Sequence, residues 1–278
     1  MKKLILAVCL ALSACCHFAH ASDIHITAEK QVEWHQKENK IVAVGDAVAT
    51  KDAMNVRADR LIGYYAGRDT DTRGKSSITR MQGEGNVKLH SPRADGFGDK
   101  LDYDLIKDEA VLTGKPAKIK TDKEVITARD KITYYPSEQK AVALGNVEAI
   151  DKDNNKVYSD KMIAFFIKDV QNSQNLTLDK VELYDHVKIV TPDTVVTSDK
   201  GLYRPRTGKV YLYENIVINQ QGNILRGDKA ETDLNTGISK LLSSSKNGRV
   251  KGVFKEKDTK KTEAKSAKPA TATSENHE

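Results

Sequence analysis

The sequence predicts an all-β chain, a solenoid-like stack of six repeated strand–turn–strand units. Three observations carry that reading. Short apolar/polar runs alternate with turn residues, as in Val125-Ile-Thr-Ala-Arg-Asp-Lys-Ile-Thr-Tyr-Tyr135 and Ala141-Val-Ala-Leu-Gly-Asn-Val-Glu-Ala149, the period-2 pattern of antiparallel strands. The same unit recurs along the chain. Outside the first residues, no window holds an i, i+3, i+4, i+7 apolar face over several turns, so helices are not expected.

The chain opens with a leader rather than a fold element. Lys2 and Lys3 precede an apolar run from Leu4 to Leu12, and Ala19-His20-Ala21 offers a small-x-small cleavage site before Ser22. That pattern reads as a signal peptide over residues 1–21, with an apolar run too short to span a bilayer. A second reading stays open: Leu12-Ser13-Ala14-Cys15 has the form of a lipobox, which would place a lipid on Cys15. All three cysteines, Cys9, Cys15 and Cys16, lie in the leader. A chain cut after Ala21 would have no disulfide and no Cys-ligated metal site. Losing Lys2 and Lys3 lowers the formal charge from +6 to +4 (6 − 2). That mild excess suits an anionic partner, and no basic patch interleaved with aromatics argues for nucleic acid.

The repeats follow in order. The units start at Gly45, Gly85, Gly114, Gly145, Asp185 and Glu214. The last three positions are the first three shifted by 100 residues, and side chains agree at that shift. Glu38, Lys40, Val42, Ala43 and Gly45 match Glu138, Lys140, Val142, Ala143 and Gly145; Val87, Lys88 and Pro92 match Val187, Lys188 and Pro192. The array is therefore read as a tandem duplication, residues 22–144 and 145–245. From Lys246 the composition turns to Lys, Glu, Ala, Thr and Ser, and residues 246–278 are expected to form a disordered charged tail.

Alternate residues of a strand share a face. In one phase Val87 and Leu89, Ala117 and Ile119, Val147 and Ala149, Val187 and Ile189, and Ile216 and Ile218 line one apolar wall. Lys88, Lys118, Glu148 and Lys188 fall on the other face. The wall reads either as an ordinary core or as a groove for an apolar ligand. Five Phe and one Trp leave mostly Val, Ile and Ala to line it, which favours a slot. A repeated Asp (Asp59, Asp99, Asp130, Asp160, Asp199, Asp228) reads as a turn cap or a partner across rungs. The repeated Gly reads as a bulge or bend.

Catalytic and metal patterns are not found. His25, His35, His90 and His186 are scattered without metal-ligand spacing, and no nucleophile elbow or phosphate loop is present. No cofactor is expected, and a hydrolase lacks a nucleophile–base pair.

The block Ala110-Val-Leu-Thr-Gly-Lys-Pro-Ala-Lys-Ile119, followed by Ala128-Arg-Asp-Lys-Ile-Thr-Tyr134 and Glu138-Gln-Lys140, resembles the OstA/LptA family. The resemblance covers about Ile26 to Leu242 loosely and Val111 to Ala149 well. It implies a twisted, partly open β-jellyroll in the periplasm of a Gram-negative bacterium, without catalytic activity. It further implies that lipid A acyl chains of lipopolysaccharide lie in the interior. The implied partners are the inner-membrane and outer-membrane components of the lipopolysaccharide export machinery, with head-to-tail homo-oligomers joined through edge strands. The duplication and the tail depart from the family pattern. An alternative function is a structural or adaptor β-solenoid that binds proteins through its edges without lipid.

Overall fold

A computed structural model of the chain describes residues 24–66, 78–168, 176–243 and 249–253. The leader with Cys15, and residues 254–278 of the expected tail, lie outside the described residues. Among the described residues, eighteen strands join in one hydrogen-bonded sheet. They are β1 (His25–Thr27), β2 (Gln31–His35), β3 (Lys40–Lys51), β4 (Met54–Tyr65), β5 (Ile78–His90), β6 (Ala94–Asp104), β7 (Glu109–Thr113), β8 (Ala117–Thr121) and β9 (Glu124–Ala128). Then come β10 (Lys131–Tyr135), β11 (Lys140–Asp151), β12 (Lys156–Lys168), β13 (Leu176–Val190), β14 (Thr194–Arg204), β15 (Lys209–Gln220), β16 (Asn223–Asp233), β17 (Ile238–Leu242) and β18 (Lys251–Val253). One 3-10 turn, Gln36–Glu38, links β2 to β3. β18 falls inside the segment expected to be tail.

Five of the long strands, β3, β5, β11, β13 and β15, bend at a bulge in the middle. Each bend carries two consecutive left-handed residues: Gly45 and Asp46, Gly85 and Asn86, Gly145 and Asn146, Asp185 and His186, Glu214 and Asn215. These are bulges, where the register with the neighbouring strand slips. The bends align, so the sheet folds along a line of corners into two layers. The strand halves on one side of the corners form the first layer, from β2 through β7 and β10 to β17. The other halves form the second layer, from β1 through β8 and β9 to β18. Far from the corners, each layer ends in a row of turns, and these rows form two lips. At the middle, β6, β7, β10, β11, β9 and β8 close a six-membered ring of pairings. The ring is closed because two bent strands are broken at their corners, between β7 and β8 and between β9 and β10.

The duplication is visible in the hydrogen bonds. Glu29 N donates to Gly45 O at 2.7 Å, and Arg129 N donates to Gly145 O at 2.7 Å. Ile26 faces Ala49 as Ile126 faces Ala149, and Val32 faces Ala43 as Ile132 faces Ala143. The repeat thus starts at β1 and restarts at β9, ahead of Gly145. It starts a third time at β16, where Leu225 faces Gly252 and Ala230 faces Leu241.

Most of the repeated Asp residues sit at the corners and bond there. Asn86 Nδ2 donates to Asp59 at 2.9 Å, Asn215 Nδ2 donates to Asp199 at 2.6 Å, and His186 Nδ1 lies 2.7 Å from Asp160. Arg129 binds Asp130 through two nitrogens. Three of these Asp residues therefore reach the left-handed residue of the next strand, as partners across rungs.

Candidate lipid-binding interior

Strand alternation turns one face of each layer inward, and one apolar core runs between the layers. All ten wall residues belong to it. Val87, Ala117, Ile119, Val147, Ala149, Val187, Ile189 and Ile216 are buried, while Leu89 and Ile218 are half-buried against them. Lys88 and Lys188 are exposed, and Lys118 and Glu148 are half-buried on the outer face. There Lys118 lies over the Phe97 ring at 4.6 Å and Lys188 over Tyr158 at 5.9 Å.

The wall is not an open trough along its whole length. A cavity of about 150 Å³ lies between the layers in the first copy. Of the ten wall residues, only Leu89 and Ile119 line it. Opposite them, the first layer contributes Met81, Leu101, Tyr103, Ala110 and Tyr134. Leu105 and Pro136 on one lip, and Thr50, Met54 and Ser91 on the other, carry the lining out to the mouth. Toward the middle of the molecule only about 10 Å³ is left between Ile119, Ile126, Ile132, Ala143 and Met162. There Val147 and Ala149 are packed into the core.

The first-layer residues Met81, Tyr103 and Tyr134 were not among the expected wall. Their signal was in the chain: the strand halves ahead of each bend alternate as regularly as those after it, as in Leu101-Asp-Tyr103 and Ile132-Thr-Tyr134.

Beyond the cavity the lips approach each other. Arg93, on the second-layer lip, donates to the Leu176 carbonyl at 3.3 Å on the first-layer lip, 83 residues away. Nearby, burial and the Glu124 carboxylate push the Tyr203 hydroxyl up to about 12. Among the described residues, no group of three His, Cys, Asp or Glu side chains could hold a metal. Three of the four described histidines instead meet carboxylates: His35 with Glu33 and Glu38, His90 with Asp95, His186 with Asp160.

Comparison with known proteins fits this architecture. The model of the LptA/(LptD N-terminal domain) lipopolysaccharide transport protein family matches residues 25–140 and again residues 130–238. The chain belongs to this family. The LptA/LptD N-terminal family is one of transport proteins, not enzymes, and its double match agrees with the duplication in the pairings. No curated protein matches the chain. Among solved structures, it is similar to LptH, the LptA homologous periplasmic component of the lipopolysaccharide transport device from Pseudomonas aeruginosa. That match has 14% identity and covers 84% of this chain and 96% of LptH, with a TM-score of 0.19.

Proposed function

We propose that this protein binds lipopolysaccharide in the periplasm, taking lipid A acyl chains between its two layers, and bridges the inner and outer membranes through its edge strands. The observation that carries the reading is the apolar cavity between Leu89, Ile119, Met81 and Tyr103, open to solvent between the lips. A cavity of this size is comparable to one that holds a benzene ring. It would take the end of an acyl chain, on the order of five or six methylenes, each contributing about 0.8 kcal/mol on leaving water. The phosphorylated headgroup would stay at the mouth, where Lys51 belongs to the lining.

The edges support the bridging part. β2 and β17 are the outer strands of the first layer, and β1 and β18 those of the second. β2 runs from the corner to the lip, and β17 from the lip to the corner. A β17 edge laid against the β2 edge of another copy is therefore antiparallel with the corners in line, which permits strand addition. Partners at the two ends would be the inner-membrane and outer-membrane components of the export machinery.

The test is site-specific photo-crosslinking in cells. A benzoyl-phenylalanine at Tyr103 should capture lipopolysaccharide, and one at the exposed Lys188 should not. Capture only at Lys188 would sink the reading.

A further inference from the structure

The two copies are not equivalent inside. In the first, Met81, Tyr103, Val56 and Ile78 line the cavity and are half-buried. Their counterparts by strand pairing in the second are Val181, Tyr203, Val157 and Leu178, all buried. Several side chains differ in size between the copies, among them Met81 and Val181, and Ala110 and Val210; two differences involve glycine. One is an exchange between cross-strand neighbours: Gly83 faces Leu101 in the first copy, and Leu183 faces Gly201 in the second. It moves volume between facing strands and leaves the pair's total unchanged. The other has no such compensation. Gly96 stands between Leu89 and Ile119, whereas Val196 stands between Ile189 and Ile218.

Gly96 is in the cavity wall. A Cβ there would come within 2.9 Å of Leu89 Cδ1 and 3.3 Å of Ile119 Cδ1. Leu89 and Ile119 lean over the glycine, and that lean leaves the space in front of them empty. A larger side chain at 96 drives both into that space. Close-packed interiors have no slack to absorb the displacement elsewhere.

We infer that the duplicated array is divided in role: the first copy admits the acyl chain, the second is its sealed counterpart, and Gly96 determines which copy is open. This rests on the reading that acyl chains enter the cavity. It makes Gly96 a specificity-determining residue that acts through Leu89 and Ile119.

The experiment titrates the purified full chain with the fluorescent fatty acid cis-parinaric acid and, in parallel, with lipopolysaccharide. Gly96→Val should weaken binding of both about ten-fold or more, the scale set by one or two misplaced methylenes in an apolar pocket. Melting temperature and β-sheet circular dichroism report whether the variant is folded. If it is not, Gly96→Ala is used, with a smaller loss in the same direction. Val196→Ala should leave the affinity of the first site unchanged. A folded position-96 variant that binds like wild type overturns the inference, as does an equal loss in Val196→Ala. A wild-type protein that binds neither probe overturns the lipid reading itself, which separates the two failures.

Discussion

His186 Nδ1 lies 2.7 Å from Asp160 Oδ2 at a corner of the sheet, the position where Asn86 meets Asp59 in the first copy. The second copy has thus replaced an amide donor, which does not titrate, by an imidazole, which does. The Asp160 carboxylate, with Asp185 and Asp199 behind it, raises the His186 pKa above its ordinary 6.5. A histidine whose pKa rises on folding adds stability below its unfolded pKa and loses it as pH climbs through the folded value. The stability difference between wild type and Asp160→Asn should therefore be larger at about pH 6 than at about pH 8. Urea denaturation at both pH values checks the sign. A difference that grew with pH would refute the pairing.

Gly145 and Gly237 both adopt left-handed backbone, with φ of 84° and 74°. Only Gly145 is also crowded: a Cβ there would collide with the Asp130 carboxyl group, whereas Gly237 has open space. Left-handed backbone costs a residue bearing Cβ about 1–2 kcal/mol. Gly237→Ala should lose about that much or less. Gly145→Ala should lose more, because Asp130 must also swing away from Arg129. Equal losses in thermal denaturation would show that the corner tolerates displacement of the carboxylate.

Tyr203 should be among the last tyrosines to ionise. Its hydroxyl is pushed up to about 12 by burial and by Glu124, so the folded state prefers it neutral. That preference contributes stability below the ordinary value of 10 and is lost as pH rises toward 12. Between those values wild type should destabilise more steeply than Tyr203→Phe. Absorbance titration of the phenolates, followed with circular dichroism, reads both ionisation and unfolding. A Tyr203→Phe protein with an unchanged alkaline unfolding curve would place that hydroxyl in water.

The inward phase of the strands was legible in the chain because alternation has a period of two and a one-residue error would flip every side chain. That is why Val87, Ala117, Val147, Val187 and Ile216 all face the core. The glycine bends were legible too, although Asp185 and Glu214 take the same left-handed role without glycine. The position of the cavity was not legible. It depends on which halves of the two layers face each other, so Val147 and Ala149 end in packed core while Leu89 and Ile119 border open space. Pairing within a sheet leaves a trace in sequence spacing, but facing across a core does not. The third start of the repeat was hidden as well. Ser239 and Gly252 stand where the earlier copies carry Ile41 or Ala141, and Ala49 or Ala149.

Trp34 and Val32 occupy the inward positions of edge strand β2, matching Tyr134 and Ile132 of β10. Tyr134 and Ile132 are buried because β7 covers their strand. Among the described residues no strand covers the free edge of β2, and Trp34 and Val32 are 62% and 53% exposed. The Trp34 indole donates to Tyr65 Oη at 2.6 Å, which holds the ring at the open end of the core. A strand laid against β2 would bury both side chains and complete the hydrogen bonding of the edge. Trp34→Lys places a cation where a partner would have to desolvate it, at a cost unmatched by any gained contact. The wild-type chain should therefore associate as its concentration rises, while Trp34→Lys stays monomeric with an unchanged melting temperature. Sedimentation velocity over a concentration series reads the outcome. Association that survives the substitution would mean that joining does not use the β2 edge.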